Sequence, residues 1–120
     1  MTSRELNLSL ITLMPEIKSL YNEVISWQEG DDTGSHVVFE DVLVPYIINC
    51  QKEHNELGLF RCFDVVEKIL SLNDEYAEEV VELSVLESLL FEKNLKNDLT
   101  KYMSEKTKAL FDEVRRGWRM

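Results

Sequence analysis

Leu6, Leu10, Leu13, Ile17, Leu20, Val24 and Trp27 follow one another in steps of three and four residues. Such spacing lines one side of a helix and does not match the alternation that a half-buried strand requires. The first thirty residues are therefore expected to be helical. Pro15 falls inside the stripe, and its ring, which lacks an amide hydrogen, is tolerated at a helix start but not in a helix interior. The pattern thus predicts two helices, at about 4–13 and 15–28. With only 4 Gly and 2 Pro in 120 residues, the chain also lacks the turn residues of a many-stranded sandwich or barrel.

The same period continues downstream. Gly30-Asp31-Asp32-Thr33-Gly34-Ser35 combines chain flexibility with side chains that bond their own backbone, so a loop is expected at 29–35. Residues 37–48 are rich in β-branched side chains, but Phe39, Leu43, Tyr46, Cys50 and Leu57 keep helical spacing, which predicts a helix with a bend near Pro45. Gly58 is expected to separate it from an amphipathic helix carrying Leu59, Cys62, Phe63, Val66, Ile69 and Leu70. Asn73-Asp74 can cap the next helix, on which Tyr76, Val80, Leu83, Leu86, Leu89 and Leu90 mix with Val81 and Val85 until its second half is apolar almost all round. That half is expected at the centre of the fold. Leu95, Leu99, Tyr102 and Met103 suit a short helix, and Ser104 can cap a last one with Thr107, Leu110, Phe111, Val114 and Trp118 on one face.

The expectation is an all-α chain, a single domain over 1–120 with a basic tail at 115–120. Its six to seven helices would form either a compact antiparallel bundle or stacked helical hairpins. No self-similarity at a fixed period supports tandem repeats.

Charge narrows the function classes. The net charge is -10, yet residues 31–92 hold -12 and residues 93–120 hold +4. A chain this acidic is repelled by phosphate backbones and anionic membranes, so direct nucleic-acid or membrane binding is not expected. The N-terminus carries no legible signal peptide or membrane span, and a cytoplasmic protein is expected. Glu75, Glu78, Glu79 and Glu82, with Asp74 just before them, lie within two turns and form one acidic stripe. Two roles are open to it. The carboxylates can form a solvated face suited to the positive end of the helix dipole, or a docking surface whose mutual repulsion a cationic partner relieves. Asp31, Asp32, Glu40 and Asp41 are candidate extensions of that surface. The basic residues of the C-terminal segment could instead neutralise it internally.

Residues suited to catalysis or metal binding are few. Cys50 and His54 are spaced four apart on a helix, with His36 and Cys62 as conceivable further ligands, but no tight turn supplies two ligands as structural zinc sites usually require. Packed side chains and buried free thiols are expected instead, with no metal and no cofactor. Glu87 interrupts the apolar face between Leu83 and Leu90, where a structural hydrogen bond to a partner such as Tyr46, Tyr102 or an arginine is expected rather than a catalytic role. There is no Gly-rich phosphate loop, G-x-S-x-G elbow or H-E-x-x-H pair, and an enzyme is not expected.

Leu83-Ser84-Val85-Leu86-Glu87, Tyr102-Met103 and the run Thr107 to Val114, with Met14-Pro15-Glu16 and Val44-Pro45-Tyr46 upstream, give a resemblance over about two thirds of the chain. These segments resemble small, largely uncharacterised all-helical bacterial proteins, some of which look like the immunity partners of polymorphic or contact-dependent toxins. The resemblance implies stoichiometric inhibition of a basic toxin domain, such as a cationic nuclease, by blocking its active site. The alternative is a helical interaction module that self-associates or takes a peptide into an apolar groove. Whether the chain is a monomer or a dimer is not fixed by the sequence.

Overall fold

In the computed structural model, residues 1–92 and 99–117 are described. Thr2 opens helix α1 (Ser3–Leu13) with a reciprocal capping box. Glu5 N–H donates to Thr2 Oγ1 at 3.1 Å, and Thr2 N–H donates to Glu5 Oε1 at 2.9 Å. Pro15 ends α1 as expected and starts a single 3₁₀ turn, Pro15–Ile17, from which α2 (Lys18–Ile25) continues. The stripe that predicted these two helices is buried at Leu6, Leu10 and Ile17 and half-buried at Leu13, Leu20 and Val24, and Tyr21 beside it is buried as well. Trp27 departs from it. Its residue follows the end of α2 and is 84% exposed, because the helical register that would have turned it inward stops at Ile25.

The expected loop is more structured than its composition implies. It contains a 3₁₀ turn at Gly30–Asp32, and its Thr33 and Ser35 are buried. Asn7 of α1 holds it, with Nδ2 donating to the carbonyls of Asp31 at 3.0 Å and Thr33 at 2.7 Å while Oδ1 accepts from Ser35 Oγ at 2.8 Å.

Helix α3 spans 35–52 as three runs, Ser35–Val38, Phe39–Leu43 and Val44–Lys52, of which the middle one is a π turn. The irregularity expected at Pro45 takes this form. Pro45 has no N–H for the Asp41 carbonyl and crowds it, and the wider turn just before it absorbs the misfit, Val44 N–H bonding to Phe39 O. Helix α4 is Glu56–Leu70. The break between them lies not at Gly58 but at His54, whose φ is 55°. Asn55 caps α4 by accepting the Gly58 N–H at 2.9 Å, so Gly58 sits in the first turn. Leu57, placed by spacing on the apolar stripe of the preceding helix, belongs to α4 instead and is 84% exposed.

Asp74 begins α5, spanning 75–90, by accepting the Ala77 N–H at 2.9 Å. This helix too contains a π turn, Val81–Leu86, between Glu75–Val80 and Glu87–Leu90, and it packs against the π turn of α3. The extra residue per turn changes the phase of the stripe. Val81, Val85 and Leu86 are buried, while Leu83, which regular spacing would turn inward, is exposed. The second half of α5 is therefore central, as its composition predicted. A 3₁₀ turn at Leu99–Tyr102 precedes α6 (Glu105–Gly117), whose first turn is capped by Ser104 accepting from Thr107 N–H at 3.2 Å. Leu95 and Trp118 lie outside the described residues.

The result is all-α, six helices without a strand among the described residues. One apolar cluster draws on all six, with Phe39 and Phe63 its largest fully buried side chains. Helix α3 touches α1, α2, α4 and α5, and α6 closes over α4 and α5. Of the two expected arrangements this is the compact bundle. The radius of gyration is 13.5 Å, against about 13.6 Å for a compact chain of this length.

Candidate partner-binding face

The acidic stripe occupies the first two turns of α5. Asp74 is the cap. Its Oδ1 also accepts from the N-terminal ammonium at 3.1 Å, and the cap bond and that ammonium hold its carboxyl below the usual value. Asp74 is thus committed within the chain. Glu75, Glu78 and Glu79 are exposed, and Glu82 is half-buried one turn further on. The Glu82 carboxyl is pushed up, first by burial and then by the negative charges of Glu113, Glu78, Glu79 and Glu87.

Glu113 comes from α6. It and Glu78 flank a groove of about 190 Å³ between α5 and α6, with Leu70, Ala109 and Leu110 lining it. Five carboxylates, at positions 78, 79, 82, 87 and 113, therefore converge on a face built by two helices. Spacing along the chain finds Glu78, Glu79 and Glu82. It does not find Glu113, which is remote in sequence and lies in the segment whose net charge is positive. Glu87 is half-buried and its charge acts on Glu82; no hydrogen bond joins its side chain to Tyr46, Tyr102, an arginine or any other described residue, so the structural bond expected of it is absent there.

No described cation forms an ion pair with this face. Lys108 pairs with Glu105 at 3.7 Å and Arg115 with Asp112 at 3.9 Å, both within α6. Lys106 lines the groove but donates to the Leu70 carbonyl at 3.1 Å, which closes the C-terminal turn of α4. Internal neutralisation by the basic segment is therefore not what its described residues do. Lys93, Lys96 and Arg119 lie outside them.

Residues 8–119 match the profile of a family described as Domain of unknown function (DUF7674). The chain belongs to the DUF7674 family. Comparison with curated proteins and with solved structures gives no match. The span shared with the DUF7674 family takes in α5, α6 and the whole acidic face.

The remaining acidic candidates of this DUF7674 chain divide into two groups. Asp31 accepts from Tyr21 Oη at 2.7 Å and lies 4.0 Å from Arg4, while Asp32 lies 3.6 Å from Arg4. The pair is partly neutralised and serves to fasten the loop to α1 and α2. Burial and the Asp31 bond push the Tyr21 hydroxyl up, so it stays a donor. Glu40 and Asp41 are exposed on the π turn of α3 with no ion-pair partner among the described residues. The strongest charges acting on Glu82 do not include either group.

The conceivable metal ligands are not assembled. No group of three or more His, Cys, Asp or Glu among the described residues could hold a metal ion. Cys50 and Cys62 are buried free thiols, both pushed up by burial, and His54 is exposed. His36 is engaged elsewhere. Its Nδ1 lies 2.6 Å from Ser84 Oγ, which ties α3 to α5, and its ring meets Tyr76 edge-on at 5.9 Å. No described helix is long and apolar enough to cross a membrane.

Proposed function

We propose that this DUF7674 chain is a non-catalytic binding protein that docks a cationic protein through the α5–α6 face, and that it acts as an immunity protein covering the active site of a toxin domain. The observation that carries this reading is the convergence of Glu78, Glu79, Glu87 and Glu113 on half-buried Glu82 with no described cation paired to any of them. Repulsion left standing on a folded surface is relieved when a partner brings cations, and the field that produces it also steers such a partner in. A nuclease toxin fits, because it must be cationic to engage a polyphosphate substrate. The groove beside Glu78 and Glu113 offers apolar surface for an anchor side chain. On this reading the site of action is the cytosol.

The test is a pull-down of the tagged protein from its native host, including the products of adjacent genes. It is repeated with Glu75, Glu78, Glu79 and Glu82 changed to Gln, and again with Glu113→Gln added. A basic toxin domain retained by the wild type and lost by the variants is expected. Its affinity should fall at least tenfold between about 0.05 and 0.3 M salt, as the screening length shortens. A partner retained equally by all three proteins moves the site off this face.

A second reading has one observation in its favour. Met1, Leu8, Leu13 and Leu72 line a shallow, largely apolar groove of about 490 Å³ between α1 and the α4–α5 turn, and Leu8 and Leu72 are exposed there. A module that self-associates or takes a peptide would use it. Such a complex hardly changes with salt, which separates it from docking through carboxylates.

A further inference from the structure

The end of α3, the start of α4 and the turn Leu99–Tyr102 enclose a cleft of about 150 Å³, separate from the acidic face. An apolar cavity of about that size is known to accept benzene, so a ring of six or seven heavy atoms has room. Leu59 and Leu99 are buried in its wall. At the rim Lys101 Nζ lies 3.4 Å from Glu56 Oε1, Tyr102 Oη donates to the same oxygen at 3.1 Å, and the ammonium sits 5.0 Å from the Tyr102 ring centre. These groups satisfy one another. A free cation or anion would have to break their pair to bind.

Gln51 is different. It lines the cleft and is only 7% exposed, yet its carboxamide makes no hydrogen bond to any described residue. It is held in place by the last turn of α3, just before His54 bends the chain towards α4. Its nitrogen and oxygen are not sealed from solvent, since the fully buried side-chain polar atom left unpaired among the described residues is Arg115 Nε, so a molecule held in the cleft can reach them. A carboxamide presents an N–H donor and a C=O acceptor side by side in one plane, the arrangement that reads a matching donor and acceptor on a nucleobase edge.

We infer that this cleft binds a small, uncharged, planar molecule with an amide-type donor and acceptor adjacent to one another, a lactam or a pyrimidine base, through paired hydrogen bonds to the Gln51 carboxamide. The ligand's ring lies against Leu59 and Leu99, and the Glu56–Lys101 pair stays intact beside it. The site is independent of the docking face, so failure of one reading leaves the other standing.

The probe is 2-pyridone, titrated into the full-length protein while the side-chain amide signals are followed by ¹H–¹⁵N NMR. A saturable shift of the Gln51 NH₂ pair is expected. N-methyl-2-pyridone, which keeps the acceptor and loses the donor, should bind at least about tenfold more weakly, as sites built around a hydrogen bond reject analogues that lack it. Gln51→Met, close in volume, should abolish the saturable binding, and Glu56→Gln should leave it within about threefold, because the ligand does not use that charge. Absence of saturation, equal binding of the methylated probe, or tighter binding of glycine than of the lactam overturns the inference. The comparison of the two pyridones is made on the unaltered protein, so a Gln51 variant that fails to fold does not leave the result open.

Discussion

A β-carbon on Gly58 would sit 2.7 Å from both Asn55 Nδ2 and Cys50 Sγ. Elsewhere in a helix Gly→Ala gains about 1 kcal/mol of propensity. Here the methyl group must displace either the cap of α4 or a buried thiol, which costs more than that gain. Gly58→Ala is expected to destabilise the fold by about 1–2 kcal/mol, read from the urea midpoint. Cys50→Ala on that background should recover part of the loss although it destabilises the wild type, and strict additivity of the two changes would show that the thiol is not what the methyl meets. Glu82 behaves in the opposite sense. Its folded carboxyl is raised above its unfolded value by burial and by four like charges. The proton is therefore held more tightly in the fold, and the stability this provides is complete below the unfolded value and lost as pH rises through the folded one. At pH 7 the ionised group opposes folding. Glu82→Gln should raise the thermal midpoint there by about 2 °C, corresponding to roughly 0.5 kcal/mol after allowing for solvent screening. The gain should vanish by about pH 4, and a gain of equal size at both pH values would mean that packing, not charge, was changed.

The six helices differ in how legible they were. The three-and-four spacing marked the body of every one, and the caps at Asp74 and Ser104 were readable because a short oxygen-bearing side chain before an apolar run has few other uses. The π turns left no such trace. A run that is apolar almost all round, as at 80–90, hides any change of phase, so Leu83 could not be told from Val85 until the helix had a partner. Boundaries failed where backbone geometry decided them, at His54 instead of Gly58 and at Ile25 instead of about residue 28. Asn7 is the sharpest case. In the sequence it only interrupts an apolar stretch, whereas in the fold it is fully buried and supplies three of the bonds that fasten residues 31–35 to α1, beside those of Ser3 and Arg4. Asn7→Ala should therefore cost about 2–4 kcal/mol, since it leaves the Asp31 and Thr33 carbonyls without their Asn7 donor, while the Ser35 hydroxyl keeps the Ser3 carbonyl as acceptor. Hydrogen exchange should accelerate at the backbone amides of 29–34 beyond what global destabilisation produces, and uniform acceleration across the molecule would remove the fastening role.

Across the whole molecule, charge sets two effects against each other. Local pairs such as Arg4 with Asp31 and Asp32, Arg61 with Glu16 and Lys68 with Asp64 stabilise the fold and weaken with salt. Repulsion within a chain of net charge -10, concentrated where Glu113 meets the α5 carboxylates, destabilises it and also weakens with salt. The α5 half of that concentration could be read from the sequence, because its carboxylates are neighbours along one helix. The α6 half could not, because only packing brings Glu113 across. The pairs are exposed to solvent and contribute little each, whereas at low ionic strength the screening length of about 30 Å at 0.01 M matches the width of the molecule and lets every carboxylate act on every other. Repulsion should therefore win. Raising NaCl from about 0.01 to 0.3 M, which shortens that length to several ångströms, is expected to raise the thermal midpoint by a few degrees. The variant with Glu75, Glu78, Glu79 and Glu82 changed to Gln should start from a higher midpoint and respond less. A midpoint that falls with salt would mean that the local pairs dominate, and with no standing repulsion to relieve, docking of a cationic partner would have to draw its affinity from the apolar groove between α5 and α6.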